Sequence, residues 1–440
     1  MSRIVLADWP SSEPILRLPH PYQTPYFVSA KSTSTSSSTT RLYQLSSSSS
    51  SEQPPPVLEN SQLYFSQPQG LKSSDRPADS INTAWARARR SPATTVAWDA
   101  ADAPTLAQAW LVLYALFTIA PSEEFIRLVL DGQGKEALAN QLRASMLAVN
   151  HPRHSKDDAP STELVLLRAS FWQGAGSPFG ARSVWVPSDG PGTTYGSQAM
   201  PALDYMLTDK PGTALAWHPR RAPKPRPGST IYSRWIPHLG ETFSMVALDH
   251  TRQDHVDLFH TWQNDPRVSH GWNQAGTRAA HCAYLAQLHE DPAQVAVLAA
   301  FDGVFFAYFE LYWAREGRLG AYYASQDFDR GRHSLVGDVR YRGAHRVGAW
   351  WSSLMHYLFL DDARTMQVVG EPKFTNTTVL AYDFQHGFGA DKFVDLPDKR
   401  GALMKCSRER FFQICPLAGE ESGRNNKVVG GTQVGLVAKL

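Results

Sequence analysis

The second half of the chain alternates between stretches with apolar residues at helical spacing and short runs that are apolar throughout. The helical spacing predicts helices over 255–265, 278–291, 345–363 and 377–387. The apolar runs predict strands over 295–301, 304–314, 332–338, 365–370, 392–396 and 402–412. Asp302 and Gly303 form a typical hairpin turn between the first two strands. This order predicts a mixed α/β layer fold with helices on both faces of one sheet.

The first half is less regular. Apolar spacing predicts three helices between 104 and 149, the second of them over 122–132 with Ser122 as its N-cap. Apolar runs predict strands over 163–172 and 183–187.

Two stretches of biased composition suggest how the chain is divided. Serine and threonine dominate 32–56, which predicts a disordered insertion between paired strands. The segment 212–230 is rich in proline, arginine and lysine, and we interpret it as a domain boundary. We therefore expect one domain over 1–225, a second over 226–417, and a flexible tail over 418–440.

The composition limits the class of protein. The 440 residues include 43 Lys and Arg against 41 Asp and Glu, a net charge of +2 that does not favour nucleic acid binding. No stretch approaches ~20 uninterrupted apolar residues, so we expect no transmembrane helix and no membrane partner. Cys282, Cys406 and Cys415 lack metal-ligand spacing and fit a reducing compartment with free thiols.

The segment 332–348 carries the strongest chemical signal. A short apolar strand ends in a basic turn containing Gly343, and an amphipathic helix follows. Such a turn leaves several backbone N–H groups in one concavity, and the helix N-terminus adds the positive end of its dipole. This geometry binds phosphate groups. His333, near the start of the strand, is close enough to act on whatever the phosphates anchor.

This order of elements, with the turn from Arg340 to Ala344 opening the central helix, resembles the GNAT acyltransferase superfamily. Five collinear segments resemble its siderophore branch, which acylates hydroxylated ornithine or lysine side chains: 264–268, 270–272, 309–313, 332–338 and 371–376. The length and the serine-rich N-terminal half resemble the fungal δ-N-hydroxyornithine acyltransferases. The resemblance implies an α/β GNAT fold, a mixed and mostly antiparallel sheet flanked by helices. It also implies that a C-terminal catalytic domain follows a degenerate N-terminal GNAT-like domain.

The resemblance also implies roles for individual residues. His333 is expected to take a proton from the hydroxylamine nitrogen, and Glu371 to orient the nucleophile or the histidine. The residues expected to hold acyl-CoA are Val336, Asp338, Arg340, Arg342, Gly343, Ala344, His345, Arg346 and Asn376. The residues expected to line the acceptor pocket are His270, Trp272, Glu310, Tyr312 and Asp327, with Glu310 meeting the α-ammonium group. No metal is expected.

One position departs from the superfamily pattern. Many GNAT enzymes carry a tyrosine four residues before a Gly-Phe pair, and this tyrosine protonates the leaving thiolate. Here Asp383 precedes Gly387 and Phe388 at that spacing, with Tyr382 adjacent. The sequence therefore does not assign the group that protonates the leaving thiolate.

Together these features predict an acyl-CoA-dependent N-acyltransferase that converts δ-N-hydroxy-L-ornithine to a hydroxamate in siderophore biosynthesis, and so serves iron acquisition. The expected donor is anhydromevalonyl-CoA or a similar acyl-CoA. The alternatives are acetyl-CoA as donor, an aminoglycoside-type N-acetyltransferase, and a non-enzymatic CoA-binding scaffold. The oligomeric state is open, with a homodimer as one alternative.

The last three residues, Ala438-Lys439-Leu440, are a conservative variant of the Ser-Lys-Leu peroxisomal signal. They predict a peroxisomal location and an import receptor as partner. The alternative location is the cytoplasm.

Overall fold

The computed structural model describes residues 4–10, 12–31, 40–48, 58–71, 82–152, 163–180, 183–187, 204–208 and 216–418. Two eight-stranded sheets and one two-stranded sheet form the fold in these residues. Helices flank the two large sheets, as the predicted α/β class requires.

The N-terminal sheet uses the first eight strands: β1 (Leu16–Arg17), β2 (Pro25–Ala30), β3 (Leu42–Ser47), β4 (Leu63–Ser66), β5 (Ala93–Trp98), β6 (Phe125–Asp131), β7 (Ala148–Asn150) and β8 (Leu164–Leu167). Its helices are α1 (Ala84–Arg90), α2 (Leu106–Ile119), α3 (Lys135–Ala144) and α4 (Arg168–Trp172). The short hairpin of β9 (Tyr205–Leu207) and β10 (Trp217–Pro219) follows.

The C-terminal sheet uses β11 (Thr230–Ile236), β12 (Glu241–Ala247), β13 (Gln294–Phe301), β14 (Val304–Trp313), β15 (Arg330–Val336), β16 (Gln367–Gly370), β17 (Gly389–Asp395) and β18 (Arg400–Ser407). Its helices are α5 (Gln253–Gln263), α6 (Pro266–Trp272), α7 (Arg278–Glu290), α8 (Ala344–Asp361), α9 (Thr377–Gln385) and α10 (Arg408–Ile414).

The two large sheets have the same topology. Their strand orders are β1-β2-β3-β4-β5-β6-β8-β7 and β11-β12-β13-β14-β15-β16-β18-β17. Each sheet contains one parallel pair, β5 with β6 and β15 with β16, and a helix connects the two strands of each pair, α2 and α8 respectively. The N-terminal half is therefore a second copy of the same architecture, and the predicted boundary at 225 lies between β10 and β11.

One apolar core includes side chains from both sheets. His356 on α8 contacts residues of both halves. Its Nε2 donates to the carbonyl oxygen of Trp172 at 2.6 Å, and its Nδ1 accepts from the Tyr232 hydroxyl at 2.8 Å. The ring of Trp185 packs against it at 5.2 Å between centroids. The two halves are therefore held together by specific buried hydrogen bonds as well as by apolar packing.

Five predicted elements were wrong, for identifiable reasons. The predicted helix over 122–132 is β6, where Ile126, Leu128 and Leu130 alternate into the core with the period of a strand. Part of the predicted insertion over 32–56 is β3, which pairs with β2 and β4. The rest of that insertion lies outside the described residues.

The other three errors concern two strand ends and a turn. The predicted strands over 163–172 and 402–412 each end early and continue as a helix, α4 and α10. Ser407 begins the second helix, because its side chain accepts a hydrogen bond from the Arg410 amide. The segment 183–187 is a turn rather than a strand, and its Val184, Trp185 and Val186 are buried in the core.

Within the described residues, no helix combines the length and the apolar character needed to cross a membrane. The predicted tail over 418–440, including Ala438-Lys439-Leu440, lies outside the described residues apart from Ala418.

Candidate active site

A cleft opens between β15 and β16. These parallel strands pair only at Arg330 with Val368 and Gly331 with Val369, so beyond those pairs the facing edges separate. In the N-terminal sheet, β5 and β6 stay paired at five successive positions. The cleft is therefore a feature of the C-terminal sheet, and its closed end lies at Gly331 and Val369.

His333 and Glu371 face each other across this cleft. Each lies two residues beyond the last paired position on its own strand, which puts the two side chains at the same level and on the same face. His333 Nε2 lies 2.8 Å from Glu371 Oε1. The parallel register thus brings together the two residues that the sequence assigned to catalysis.

Glu310 completes an ionic triad around the imidazole. It lies opposite His333 on β14, and its Oε2 is 3.0 Å from His333 Nδ1. Both carboxylates are buried, whereas the His333 side chain is 38% exposed. The imidazole is therefore held from both sides and still open to a substrate.

The charges in this triad reinforce one another. Burial alone would lower the pKa of His333, but the charges of Glu371 and Glu310, with their hydrogen bonds, raise it to about 9. Burial alone would raise the pKa of Glu371, but the His333 charge and hydrogen bond lower it to about 2. The pKa of Glu310 is lowered for the same reason. At neutral pH the resting site therefore holds an imidazolium between two carboxylates.

A ring of hydroxyl and ammonium groups surrounds the triad. Tyr284 and Tyr308 donate to Glu310 Oε1 at 2.6 and 3.0 Å, and Tyr312 donates to Glu371 Oε2 at 3.0 Å. The ammonium of Lys399 lies 3.8 Å from Glu371 Oε1. These partners fix the orientation of both carboxylates.

The sequence reasoning missed Tyr284, Tyr308 and Lys399. Tyr308 could have been found, because it alternates with Glu310 and Tyr312 on one face of a predicted strand. Tyr284 and Lys399 come from α7 and from the turn after β17, and no local pattern connects those segments to β15.

The turn before α8 exposes unpaired backbone amides. Gly343 has a φ of +122° and ψ of 150°, a conformation almost confined to glycine, and no side chain caps the helix that follows. In the described part of the chain, the amides of Gly343, Ala344 and His345 donate to no backbone carbonyl, while the amides of Arg346 and Val347 donate to the carbonyl of Gly343. The side chain of Arg342 is exposed beside them. This turn can hold an anionic group as predicted.

The equivalent helix of the N-terminal half begins with a side-chain cap. Thr105 accepts a hydrogen bond from the Gln108 amide, and the Gln108 side chain accepts one from the Thr105 amide. The N-cap amide of α2 is therefore occupied, whereas among the described residues the corresponding amide of Gly343 at α8 has no such partner.

The other predicted CoA-binding residues have varied surroundings. The Asp338 carboxylate accepts from both the amide and the guanidinium of Arg340, so this pair shapes the turn. Arg346 forms a two-point ion pair with Glu241. Val336 ends β15 at the open side of the cleft, and Asn376 caps α9 through the Val379 amide. Of the three arginines predicted to bind coenzyme A, all of them among the described residues, Arg340 and Arg346 are ion-paired and Arg342 is not.

The predicted acceptor residues divide into two groups. Tyr312 and Trp272 lie beside His333, with ring centroids 5.0 and 6.2 Å from the imidazole. His270 is exposed on α6, and Asp327 pairs with Arg315, away from the triad.

Glu310 was expected to bind an α-ammonium group, but the structure gives it other partners. Its two oxygens accept from His333, Tyr284 and Tyr308. A buried carboxylate with these partners is a positioning group for His333.

The chemistry that this arrangement supports is a proton transfer next to an anion-binding turn. A ligand anchored at Gly343 would enter the cleft from its open end and reach towards its closed end, where His333 and Glu371 lie. In the described residues, no three His, Cys, Asp or Glu side chains are grouped to hold a metal ion.

Comparison with known proteins agrees with this geometry. The sequence profile described as "Acetyltransferase (GNAT) domain" matches residues 251–396, which include the triad and the turn. The predicted GNAT fold is thereby confirmed for the C-terminal half.

Three relatives cover nearly the whole chain. An N(5)-hydroxyornithine:cis-anhydromevalonyl coenzyme A-N(5)-transacylase of Beauveria bassiana is 52% identical, over 99% of each chain. A protein of Stachybotrys chartarum, whose name gives it a provisional O-acetyltransferase assignment, is 50% identical over 98% of this chain and 97% of its own. A hydroxyornithine transacylase of Ajellomyces capsulatus is 47% identical over 91% of this chain and 93% of its own.

Proposed function

Since this chain belongs to the fungal hydroxyornithine transacylase family of GNAT acyltransferases, we propose that it transfers an acyl group from coenzyme A to the hydroxylamine nitrogen of δ-N-hydroxy-L-ornithine. The product is a hydroxamate for siderophore biosynthesis. The observation that carries the proposal is the imidazole of His333 between two carboxylates at the closed end of a cleft. The open end of that cleft leads to the uncapped N-terminus of α8.

The acyl-CoA binds first through its phosphates. The free amides of Gly343, Ala344 and His345 donate to the pyrophosphate, and the N-terminus of α8 adds its dipole. Arg342 supplies the positive side chain that is not already paired. The pantetheine arm then follows the unpaired edge of β15, which brings the thioester to the level of His333.

The acceptor nitrogen needs little activation. Its hydroxyl substituent makes it less basic than an alkylamine, so the nitrogen is neutral near pH 7 and can attack the thioester carbon directly. As the C–N bond forms, the nitrogen loses its proton. His333 in its neutral form receives this proton, and the resulting imidazolium is stabilised by Glu371 and Glu310.

Glu310 and Glu371 therefore have related roles. Glu310 holds Nδ1 of His333, which leaves Nε2 directed into the cleft. Glu371 is hydrogen-bonded to Nε2 of His333 in the resting site. When the acceptor binds, its nitrogen approaches the same Nε2, either beside the Glu371 carboxylate or in place of it. This arrangement lets the base be oriented before the acceptor arrives.

We further propose that the donor is anhydromevalonyl-CoA or a similar acyl-CoA. The proposal rests on the relative from Beauveria bassiana, whose name states that donor and which is 52% identical to this chain. Acetyl-CoA is the alternative donor.

A direct assay tests the reaction. Purified protein is incubated with δ-N-hydroxyornithine and a panel of acyl-CoA thioesters, and the hydroxamate is detected by mass. We expect a hydroxamate in the wild type and a rate about 10²–10⁴-fold lower in His333→Asn, the usual effect of losing a general base. His289→Asn, on α7 and outside the triad, is the matched control and should keep the wild-type rate.

The same assay separates the alternatives. Acylation of another amine without any hydroxamate would support an aminoglycoside-type enzyme. CoA binding without turnover, unchanged in His333→Asn, would support a scaffold and contradict the proposal.

For the cellular location, we propose that Ala438-Lys439-Leu440 is read by a peroxisomal import receptor. The test is fluorescence microscopy of the full chain with a fluorescent protein fused at its N-terminus. A punctate peroxisomal signal should become diffuse when Leu440 is removed, and a diffuse signal from the intact chain would contradict the proposal.

A further inference from the structure

A second ion pair lies in the same cleft, on the opposite face of the sheet from the triad. Arg332 precedes His333 on β15, so strand alternation directs its side chain towards α8 and α9. There the guanidinium pairs with Asp383 and lies over the rings of Trp351 and Phe388, 4.3 and 5.1 Å from their centroids.

This guanidinium lies at the closed end of the cleft. Arg332 is the first residue of β15 beyond the last paired position, and Gly370 is its counterpart on β16. A Cβ built at Gly370 would lie 3.9 Å from Arg332 Nη1. The cation therefore extends across the gap between the separated strands, at the level where the triad ends on the other face.

The pairing with Asp383 leaves polar atoms unused. Asp383 is fully buried and Arg332 is 5% exposed. Only Nη2 of Arg332 donates to Asp383, and within the described residues neither Nε of Arg332 nor Oδ2 of Asp383 has a hydrogen-bond partner. Buried polar atoms usually have a partner, so this ion pair keeps hydrogen-bonding capacity that a bound ligand can use.

Building on the proposed function, we propose that Arg332 is a catalytic residue that stabilises the thiolate of coenzyme A as it leaves. The acceptor nitrogen attacks from the His333 face, while the donor reaches the closed end from α8, on the Arg332 face. The sulfur atom of the thioester then lies beside the guanidinium. Asp383 holds that guanidinium in place, as a positioning residue.

The step balances without another reactant. The C–N bond forms as the nitrogen attacks, and the nitrogen proton passes to His333. When the tetrahedral intermediate collapses, the C–S bond breaks and its electron pair stays on sulfur. Arg332 stabilises that negative charge by a charge-assisted hydrogen bond. On release the thiolate takes a proton from solvent, and His333 returns the proton of the nitrogen to solvent, which regenerates the base.

The other cations near the cleft are less suited to this role. His333 and Lys399 both pair with Glu371 on the acceptor face, so their charges lie beside the attacking nitrogen. Burial raises the pKa of Asp383 to about 6, although the Arg332 charge opposes the rise. A carboxylate so poorly stabilised as an anion leaves the guanidinium able to interact with a second anion.

The first experiment needs no turnover. Coenzyme A is bound to the protein and its thiol is titrated by the ultraviolet absorbance of the thiolate. The bound thiol should have a lower pKa than free coenzyme A in the wild type, and Arg332→Gln should return it to the free value. Arg332→Lys, which keeps a cation, should retain part of the shift.

Arg330→Gln is the matched control for this titration. Arg330 is also buried and ion-paired, with Asp361 at 2.9 Å, but it lies in the paired part of β15. Loss of a buried arginine there should leave the thiol pKa at its wild-type value. An unshifted thiol in the wild type would overturn the inference even if a variant did not fold.

The second experiment compares leaving groups. With the acyl-CoA thioester, Arg332→Gln should lower kcat by about 10²–10³-fold, the usual effect of losing an oxyanion donor. With the selenoester analogue, whose selenolate leaves more readily, the loss should shrink to less than about tenfold. An equal loss with both donors would show a structural role and overturn the inference.

These outcomes separate the inference from the proposed function. Hydroxamate formation with an unshifted bound thiol would overturn only the role of Arg332. A shifted thiol without hydroxamate formation would contradict only the choice of acceptor. Failure to bind coenzyme A would contradict both.

Discussion

His333 illustrates how neighbouring residues decide what a side chain can do. The sequence identified this histidine and Glu371 because each lies in a recognisable segment near the phosphate-binding turn. It could not give the resting charge of the imidazole, which depends in part on Glu310, directly opposite on the neighbouring strand and 23 residues away in the chain. The charge of Glu371 and this long-range contact with Glu310 together raise the pKa of His333 to about 9.

The first prediction concerns pH. A base must be unprotonated to act, and with a pKa of about 9 only about one hundredth of His333 is neutral at pH 7. We therefore expect kcat/KM to rise about tenfold per pH unit from neutrality and to level off near pH 9. Steady-state rates across this range, at fixed ionic strength, provide the measurement.

Glu310→Gln gives an internal check on this profile. This substitution removes one of the two charges that raise the pKa of His333, so the rise in kcat/KM should level off at a lower pH. A wild-type rate that is flat across neutral pH and falls above about pH 9 would instead mean that the charged histidine is required, with Glu371 accepting the proton.

The second prediction concerns Arg342. Because this exposed guanidinium is expected to contact the phosphates and not the reacting atoms, Arg342→Ala should raise the KM for acyl-CoA by roughly tenfold, about 1.4 kcal/mol of binding, with a smaller effect on kcat. Arg252→Ala, an exposed arginine at the start of α5 that pairs with Asp254, should change neither constant. A larger fall in kcat than rise in KM would place Arg342 outside the phosphate site.

At the scale of elements, long segments with consistent spacing were predicted well. The helix expected over 345–363 is α8, and the hairpin at Asp302 and Gly303 joins β13 to β14 as expected. Short apolar segments were ambiguous, because a segment of seven residues can fit both the helical period of 3.6 and the strand period of 2. For this reason β6 was predicted as a helix. The sequence did not predict where β15 and β16 separate, because this depends on how the two strands pair and not on a local pattern within either strand.

The third prediction tests the turn before α8. Alanine at position 343 would have to adopt a backbone conformation that costs about 1–3 kcal/mol, and its Cβ would lie 2.8 Å from the His345 ring. We expect Gly343→Ala to weaken coenzyme A binding by roughly tenfold or more, measured by calorimetry.

Gly348→Ala is the control within the same helix. A Cβ at Gly348 meets nothing within 4 Å, and alanine favours a helix, so binding should be unchanged. Equal effects of the two substitutions would indicate that α8 as a whole, and not its first turn, limits binding.

At the scale of the molecule, the two halves share a core that depends on a neutral histidine. Burial lowers the pKa of His356 to about 3, although the Trp172 carbonyl opposes the change. The composition of 183–187 indicated buried apolar residues, but nothing in the sequence indicated that Trp172 and His356, 184 residues apart, would meet.

The fourth prediction follows from that pKa. The unfolded chain binds a proton at His356 below about pH 6.5 while the folded chain does not, so folding stability is lost as pH falls from 6.5 towards 3. One such proton contributes a slope of about 1.4 kcal/mol per pH unit. The measurement is denaturant unfolding of the wild type and His356→Gln between about pH 7 and pH 5.

The stability difference between the two proteins should shrink by that slope as the pH is lowered below 6.5. A difference that does not vary with pH would mean that His356 is charged in the folded protein or that its pKa is unchanged on folding.

The capping box on α2 sets a limit on stoichiometry. Within the part of the chain that the structure describes, the amide of Gly343 is free at the start of α8, but the Gln108 side chain accepts from the amide of Thr105 at the equivalent position, and the strands β5 and β6 beside it remain paired. Although its two halves share one topology, the chain should therefore bind a single equivalent of coenzyme A. Thr105→Gly should not create a second binding site.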